Sequence, residues 1–149
     1  MHLLTYSTGI KAEGAGYWNT RKHGGSKRRL WRKIHIGIGE EAVEIRAIEF
    51  TSGSICDAPM LPALLNQIPP DRELGSVTAD SAYDTRKCHN AIAARNADSV
   101  IPLSKNAKMW KPDTTVAKAC NEAVRFSKYL GRALWRHLTG YHRRSRGAE

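Results

Sequence analysis

Asp80 closes the short run Ser76-Val77-Thr78-Ala79 and is followed at once by Ser81-Ala82-Tyr83-Asp84-Thr85. A carboxylate at the C-terminal end of a strand, just before a turn into a helix, is well placed to hold a divalent ion. Two Mg²⁺ ions about 4 Å apart can activate an attacking oxygen, stabilise a leaving oxygen and neutralise the phosphate between them. Such a centre needs at least three acidic groups converging from different elements. Glu149 is a second candidate, at the end of the Arg-rich stretch Tyr141-His142-Arg143-Arg144-Ser145-Arg146-Gly147-Ala148. The competing role for Asp80 is a turn carboxylate that caps the following helix, a position Asp favours.

The charge balance points to the same class of partner. Lys and Arg number 24 against 14 Asp and Glu, a net +10 with a sequence pI near 9.9. A field of that sign favours polyanions, because each neutralised phosphate releases counterions. The densest cluster is Arg21-Lys22-His23-Gly24-Gly25-Ser26-Lys27-Arg28-Arg29, continued by Arg32 and Lys33, with Trp18 and Trp31 close by. Arg21, Lys22, Lys27, Arg28, Arg29, Arg32 and Lys33 are therefore candidate contacts to a DNA backbone. Arg143, Arg144 and Arg146 form a second candidate set. A solvated basic loop is the plainer reading of either cluster.

No run approaches the ~18–20 apolar residues of a membrane span. Met1-His2-Leu3-Leu4-Thr5 lacks the positive region and apolar length of a secretory signal. The widely spaced Cys56, Cys88 and Cys120 match neither a disulfide framework nor a CxxC metal pattern, so a reduced, cytoplasmic setting is expected. Cys88-His89 has ligand chemistry, but adjacent residues on a helix point ~100° apart, which argues against zinc.

The elements that must position Asp80 follow from periodicity. Leu3-Leu4-Thr5-Tyr6 reads as a strand, and Ser7 to Lys33 as a basic, Gly-rich loop. Trp31 to Gly37 and Glu44 to Phe50 alternate with period two, and Gly39-Glu40-Glu41 joins them as a hairpin. Asp57-Ala58-Pro59 opens a helix through Met60, Leu61, Leu64 and Leu65 that stops before Pro69-Pro70. After the Asp80 strand, Asp84 caps a helix over Arg86 to Arg95. Ser99-Val100-Ile101-Pro102 is a last short strand, and Val116 to Leu138 is helical with a break near Gly131. Trp110, Phe126 and Trp135 are expected in the core.

Three strands, helix, strand, helix, strand, helix is an α/β order. It implies a mixed sheet flanked by helices in the ribonuclease H-like arrangement. There the acids of a two-metal site stand on the first strand, at the end of the fourth and on a late helix. Asp80 fills the fourth-strand place. The first-strand place falls near Tyr6, and no acid is there.

Ser7-Thr8-Gly9-Ile10-Lys11, Trp18-Asn19, Lys22-His23-Gly24, Arg32-Lys33-Ile34-His35, Thr78-Ala79-Asp80 and Tyr141-His142-Arg143-Arg144 together resemble bacterial insertion-sequence transposases with an Asp-Asp-Glu triad. The nearest group is the fifth insertion-sequence family. The resemblance implies Mg²⁺ or Mn²⁺ held by Asp80 and Glu149. It implies double-stranded DNA as partner, both insertion-sequence ends and target, in a bacterial, nucleoid-associated setting; a homo-oligomer is left open. It also implies that residues 1–149 are a partial catalytic domain without an upstream end-recognition region or a C-terminal tail. The chain departs from that pattern in two places. Tyr6 stands where the first Asp belongs, and a phenol of reference pKa ~10 is a poor Mg²⁺ ligand. The late signature places three residues between its Arg and its Glu; after Arg144 that position is Ala148, and Glu149 comes one later. The expectation is a DNA-transposing domain impaired in catalysis. The alternative is a non-enzymatic basic DNA-binding fragment that associates with intact transposase, and a weaker one is a basic RNA-binding protein.

Overall fold

Alternating side chains along Trp31–Gly39 (β2) and Glu44–Ser52 (β3) produce an antiparallel hairpin, with Ile34 opposite Phe50 and Ile36 opposite Ile48. The computed structural model describes residues 1–11, 31–111 and 114–147. His2–Lys11 (β1) pairs antiparallel with β2 along its whole length, from Leu3 opposite Gly39 to Lys11 opposite Trp31. The strand thus runs five residues beyond Tyr6, through a stretch expected to be loop. Ser7, Gly9 and Lys11 are weak strand formers, and the ladder to β2 outweighs their propensity.

Ser76–Thr78 (β4) adds parallel to β1, and Asp98–Val100 (β5) adds parallel to β4. The five-stranded order is β3-β2-β1-β4-β5. With the three α-helices among the described residues it is a mixed α/β sheet of the expected ribonuclease H-like kind. The last strand lies slightly earlier than read from sequence, since Ile101 is buried beyond its end.

A 3-10 turn at Ala58–Met60 leads into Leu61–Asn66 (α1), which buries Leu61, Leu64 and Leu65. Arg86–Ala93 (α2) buries Cys88, His89 and Ile92. Both cover the sheet face that carries Leu3 and Val77, and with Tyr83 and Ile101 they form the core. Arg95 fastens the end of α1 by donating to the carbonyls of Leu65 (2.7 Å), Ile68 (3.1 Å) and Pro69 (2.9 Å).

Neither expected cap is made by the residue that the sequence marks. Asp57 makes no cap bond, because its carboxylate accepts from Lys33 Nζ at 3.0 Å. Asp84 does not cap α2; Thr85 Oγ1 accepts from Cys88 N at 3.3 Å instead. A threonine one residue nearer the helix has the right reach, and Asp84 is committed elsewhere.

Thr115–Leu138 (α3) contains the expected break, with Gly131 at φ 78° and ψ 160°. That conformation is essentially confined to glycine. The kink turns the final two turns inward, so that Trp135 is buried, whereas Phe126 before the kink is 43% exposed and not a core residue. Trp110 is half-buried, its ring edge-on to His89.

Candidate functional site

The parallel register pairs Leu4 with Thr78, so two residues further on Tyr6 and Asp80 stand at the same end of adjacent central strands. Asp80 leaves β4 in an extended conformation, and the chain then tightens into the 3-10 turn Ser81–Tyr83. One carboxylate oxygen accepts from Ala82 N at 2.9 Å, which is the capping role. The other accepts from Arg144 Nη2 at 3.0 Å. Asp80 therefore has both kinds of surroundings at once: the turn bond of a structural Asp and the exposed strand end of a reactive one.

Arg144 arrives from the far end of the chain, on the 3-10 helix Tyr141–Gly147. Its guanidinium also lies 5.0 Å from the centre of the Tyr6 ring, a cation–π contact. Tyr6, Asp80 and Arg144 thus meet although 74 and 64 residues separate the first two from each other and the last two from each other by position along the chain. Arg143 turns the opposite way, to Glu40 at 3.6 Å, so two consecutive arginines tie the last segment to separate parts of the sheet. Tyr141 packs on Trp135 at 6.0 Å between ring centres and lies under Arg136 at 5.6 Å. Tyr6, Arg136, Tyr141, His142, Arg144 and Ser145 line a cavity of about 350 Å³.

The other residues singled out from sequence are placed unevenly. Arg32 is exposed at the start of β2. It lies on the Tyr6 face, because Ile36 is opposite Tyr6 and Arg32 is four residues away along an alternating strand, roughly 13 Å. Lys33 faces the other way and is held by Asp57 and the Ile55 carbonyl. His35 joins the same support: it is fully buried, with Nε2 2.9 Å from Thr51 Oγ1 and Nδ1 3.6 Å from Asp57. Burial lowers its pKa despite Asp57. Arg21, Lys22, Lys27, Arg28, Arg29 and Glu149 lie outside the described residues, as does the side chain of Arg146.

Sequence reasoning missed Arg136. The only available signal was a basic residue in the last turn of a long helix, which helix electrostatics favours without any function. It also missed the Asp84–His89 pair beside the site. Asp84 Oδ1 lies 3.0 Å from His89 Nε2, its Oδ2 accepts from Ser104 N at 2.8 Å, and His89 Nδ1 lies 3.0 Å from Ser99 Oγ. Burial opposes the charge on His89, but the bond to Asp84, with Cys120 nearby, raises its pKa to about 9. Burial likewise opposes the charge on Asp84, and its bonds from His89 and Ser104 prevail to lower its pKa. This pair is a strut that joins α2 to the Ser104 loop.

The geometry decides how well a two-metal centre fits. Among the described residues no three His, Cys, Asp or Glu side chains converge. Among the described residues Asp80 is the one carboxylate where β1 and β4 end, and a guanidinium already sits on its outer oxygen. Repulsion between a 2+ ion and a guanidinium roughly 4 Å away is of order 8 kcal/mol at an effective dielectric of 20. A partly exposed ion pair and one cation–π contact together hold Arg144 by only about 1–2 kcal/mol. Metal and Arg144 therefore exclude each other here, and a lone carboxylate offers a metal little in exchange. The described residues do not fit a two-metal site.

The family model for the transposase DDE domain matches residues 4–146. No solved structure gives a significant match.

Proposed function

The chain belongs to the transposase DDE domain family, and from that premise we propose that it binds duplex DNA while its cleavage centre is silenced. The family generally uses a divalent metal for its chemistry. In this chain the Arg144–Asp80 ion pair, lying over Tyr6, carries the reading of silence. Tyr6 brings no carboxylate to the first-strand place, and Arg144 brings a positive charge to the spot a cation would need. No step of strand cleavage is derived through a metal here.

DNA binding is supported by the net charge of +10 and by the exposed Arg32 on the same sheet face as Tyr6. Arg21, Lys22, Lys27, Arg28, Arg29 and Arg146 remain proposed backbone contacts on their charge alone. Lys33 is left out of that set, since Asp57 engages its ammonium. Arg143 keeps an exposed guanidinium even with Glu40 beside it, so it can serve both. Backbone contacts of this kind position a duplex without reading its sequence.

The test is duplex binding and duplex nicking on one preparation. Binding falls steeply as salt rises, and Asp80→Ala does not abolish it. No Mn²⁺-dependent nick is made. A Mn²⁺-dependent nick that vanishes in Asp80→Ala overturns the silent reading, and affinity indifferent to salt overturns the DNA reading.

A further inference from the structure

We propose that the free edge of β3 is a strand-addition surface for a second copy of this chain, and that the Gln67 side chain occupies its central position until the partner strand replaces it. The inference is independent of DNA binding: Glu44 and Glu49 lie on this strand, and carboxylates repel phosphate.

Among the described strands β3 and β5 stand at the two edges of the sheet. β5 spans three residues and β3 nine, so β3 is the edge with length to offer a partner. Parity decides which of its backbone groups point outward. Gly53 N donates to the Trp31 carbonyl of β2 at 2.9 Å, so the odd-numbered residues here bond inward. The N–H and C=O of Ile48 and Phe50 therefore point away from β2.

Gln67, at the end of α1, already uses the outward groups of Ile48. Ile48 N donates to Gln67 Oε1 at 2.9 Å, and Gln67 Nε2 donates to the Ile48 carbonyl at 3.0 Å. A carboxamide carries the donor and acceptor of a peptide group, and these are the two bonds that a residue of an added antiparallel strand would exchange with Ile48. Gln67 is thus seated as a stand-in for one rung of a ladder. Its Nε2 also donates to Glu49 Oε1 at 2.6 Å, which fixes the amide in place. No described residue is bonded to the outward groups of Phe50. Ile45, Ile48 and Phe50 are 60%, 39% and 63% exposed, and an apolar edge left open in this way is a template for another strand.

Charge and register select a second copy as that strand. The chain carries +10, so two copies repel over most of their surfaces. β3 is different, with the carboxylates of Glu44 and Glu49 against the single Arg46. A two-fold antiparallel pairing centred on Ile48 sets Ile48 against Ile48 and Glu49 against Ala47, with no carboxylate facing another. A pairing centred on Glu49 would oppose two carboxylates, which is unfavourable. The strand is therefore self-complementary in one register, as an isologous contact requires. Because the outward groups of Ile48 serve either Gln67 or the partner, removing Gln67 strengthens the association.

The experiment is sedimentation velocity over a range of concentrations, without DNA, on wild type, Gln67→Ala, Gln67→Asn, and Gln67→Ala combined with Ile48→Lys. Gln67 is exposed, and circular dichroism checks the fold of each variant. Gln67→Ala is expected to dimerise about tenfold or more tightly than wild type, and Gln67→Asn, one methylene shorter, to do the same. Adding Ile48→Lys sets like charges face to face and returns the chain to a monomer. Concentrating Gln67→Ala slows hydrogen exchange at the amides of Ile48 and Phe50. Association no tighter in either Gln67 variant than in wild type overturns the proposal. A dimer that leaves those two amides exchanging freely also overturns it, since the contact then lies on the face of the sheet. A Lys-rich extended peptide that protects the same amides better than a peptide of residues 44–52 overturns the second copy and makes a foreign basic strand the partner.

Discussion

Arg144 Nη2 lies 3.0 Å from Asp80 Oδ2, at the end of the strand beside the one that carries Tyr6. The pair is only part-buried, with side-chain exposures of 25% and 32%, so it is worth about 1 kcal/mol or less to stability. Its consequence is therefore chemical. Arg144→Gln should change the melting temperature by no more than a few degrees while altering what the site binds. Thermal unfolding followed by circular dichroism checks this; a collapse of the fold would show that the pair is structural.

The Asp84–His89 strut makes stability depend on pH. The folded pKa of His89, about 9, lies above its unfolded value of 6.5. Its contribution is fully present below about pH 6.5 and is lost as pH rises through about 9, with an upper bound of about 3 kcal/mol. Asp84 acts at the other end: its lowered pKa contributes above the ordinary carboxylate range and is lost as pH falls through the folded value. Melting temperature should decline between pH 6.5 and 9 in wild type and stay flatter in His89→Gln. Equal slopes in the two proteins would remove His89 as the cause. Asp84→Asn should cost about 3 kcal/mol at neutral pH, since it leaves a buried imidazolium unpaired.

Gly131 sets where Arg136 points. At φ 78° and ψ 160° it occupies a region essentially closed to other residues, and nothing lies within 4 Å of a Cβ placed there. The cost of Gly131→Ala is then backbone strain rather than collision, about 1–3 kcal/mol. A helix that relieves the strain by straightening carries Arg136 away from Tyr6. Urea denaturation should report the loss, and a midpoint equal to wild type would show that the position tolerates a side chain.

Arg95 is a second place where a single side chain holds the frame. Its guanidinium bridges the carbonyls of Leu65, Ile68 and Pro69 at and just beyond the end of α1, in addition to the backbone bonds that Leu65 and Pro69 already accept. Arg95→Ala should destabilise by about 2–3 kcal/mol, and Arg95→Lys should recover little, because one ammonium cannot reproduce the planar fork. Urea midpoints for the two variants check this.

The contrast between what was legible and what was not has a physical basis. The hairpin strands, the Asp80 strand and the Gly131 break are local features, and alternation or a glycine within a helix reveals them. The outer half of β1 is not local: Ser7 to Lys11 becomes strand because β2 lies alongside. Asp57 and Asp84 look like caps in sequence, but partners 24 and 5 residues away along the chain take their carboxylates. Family motifs marked Asp80, Tyr141 and Arg144 separately. Nothing in the sequence said that Arg144 would close on Asp80, because that contact spans 64 residues and depends on the register of two strands. Arg136 was invisible for the same reason, since it reaches the site only through the kink.

On the proposed reading the Arg144 guanidinium holds the place beside Asp80 that a divalent ion would take, and Mn²⁺ binding tests this most directly. Electron paramagnetic resonance titration of the wild-type chain should show no Mn²⁺ site that depends on Asp80, with Asp80→Ala giving the same curve. A stoichiometric Mn²⁺ site in wild type that Asp80→Ala abolishes would contradict the account.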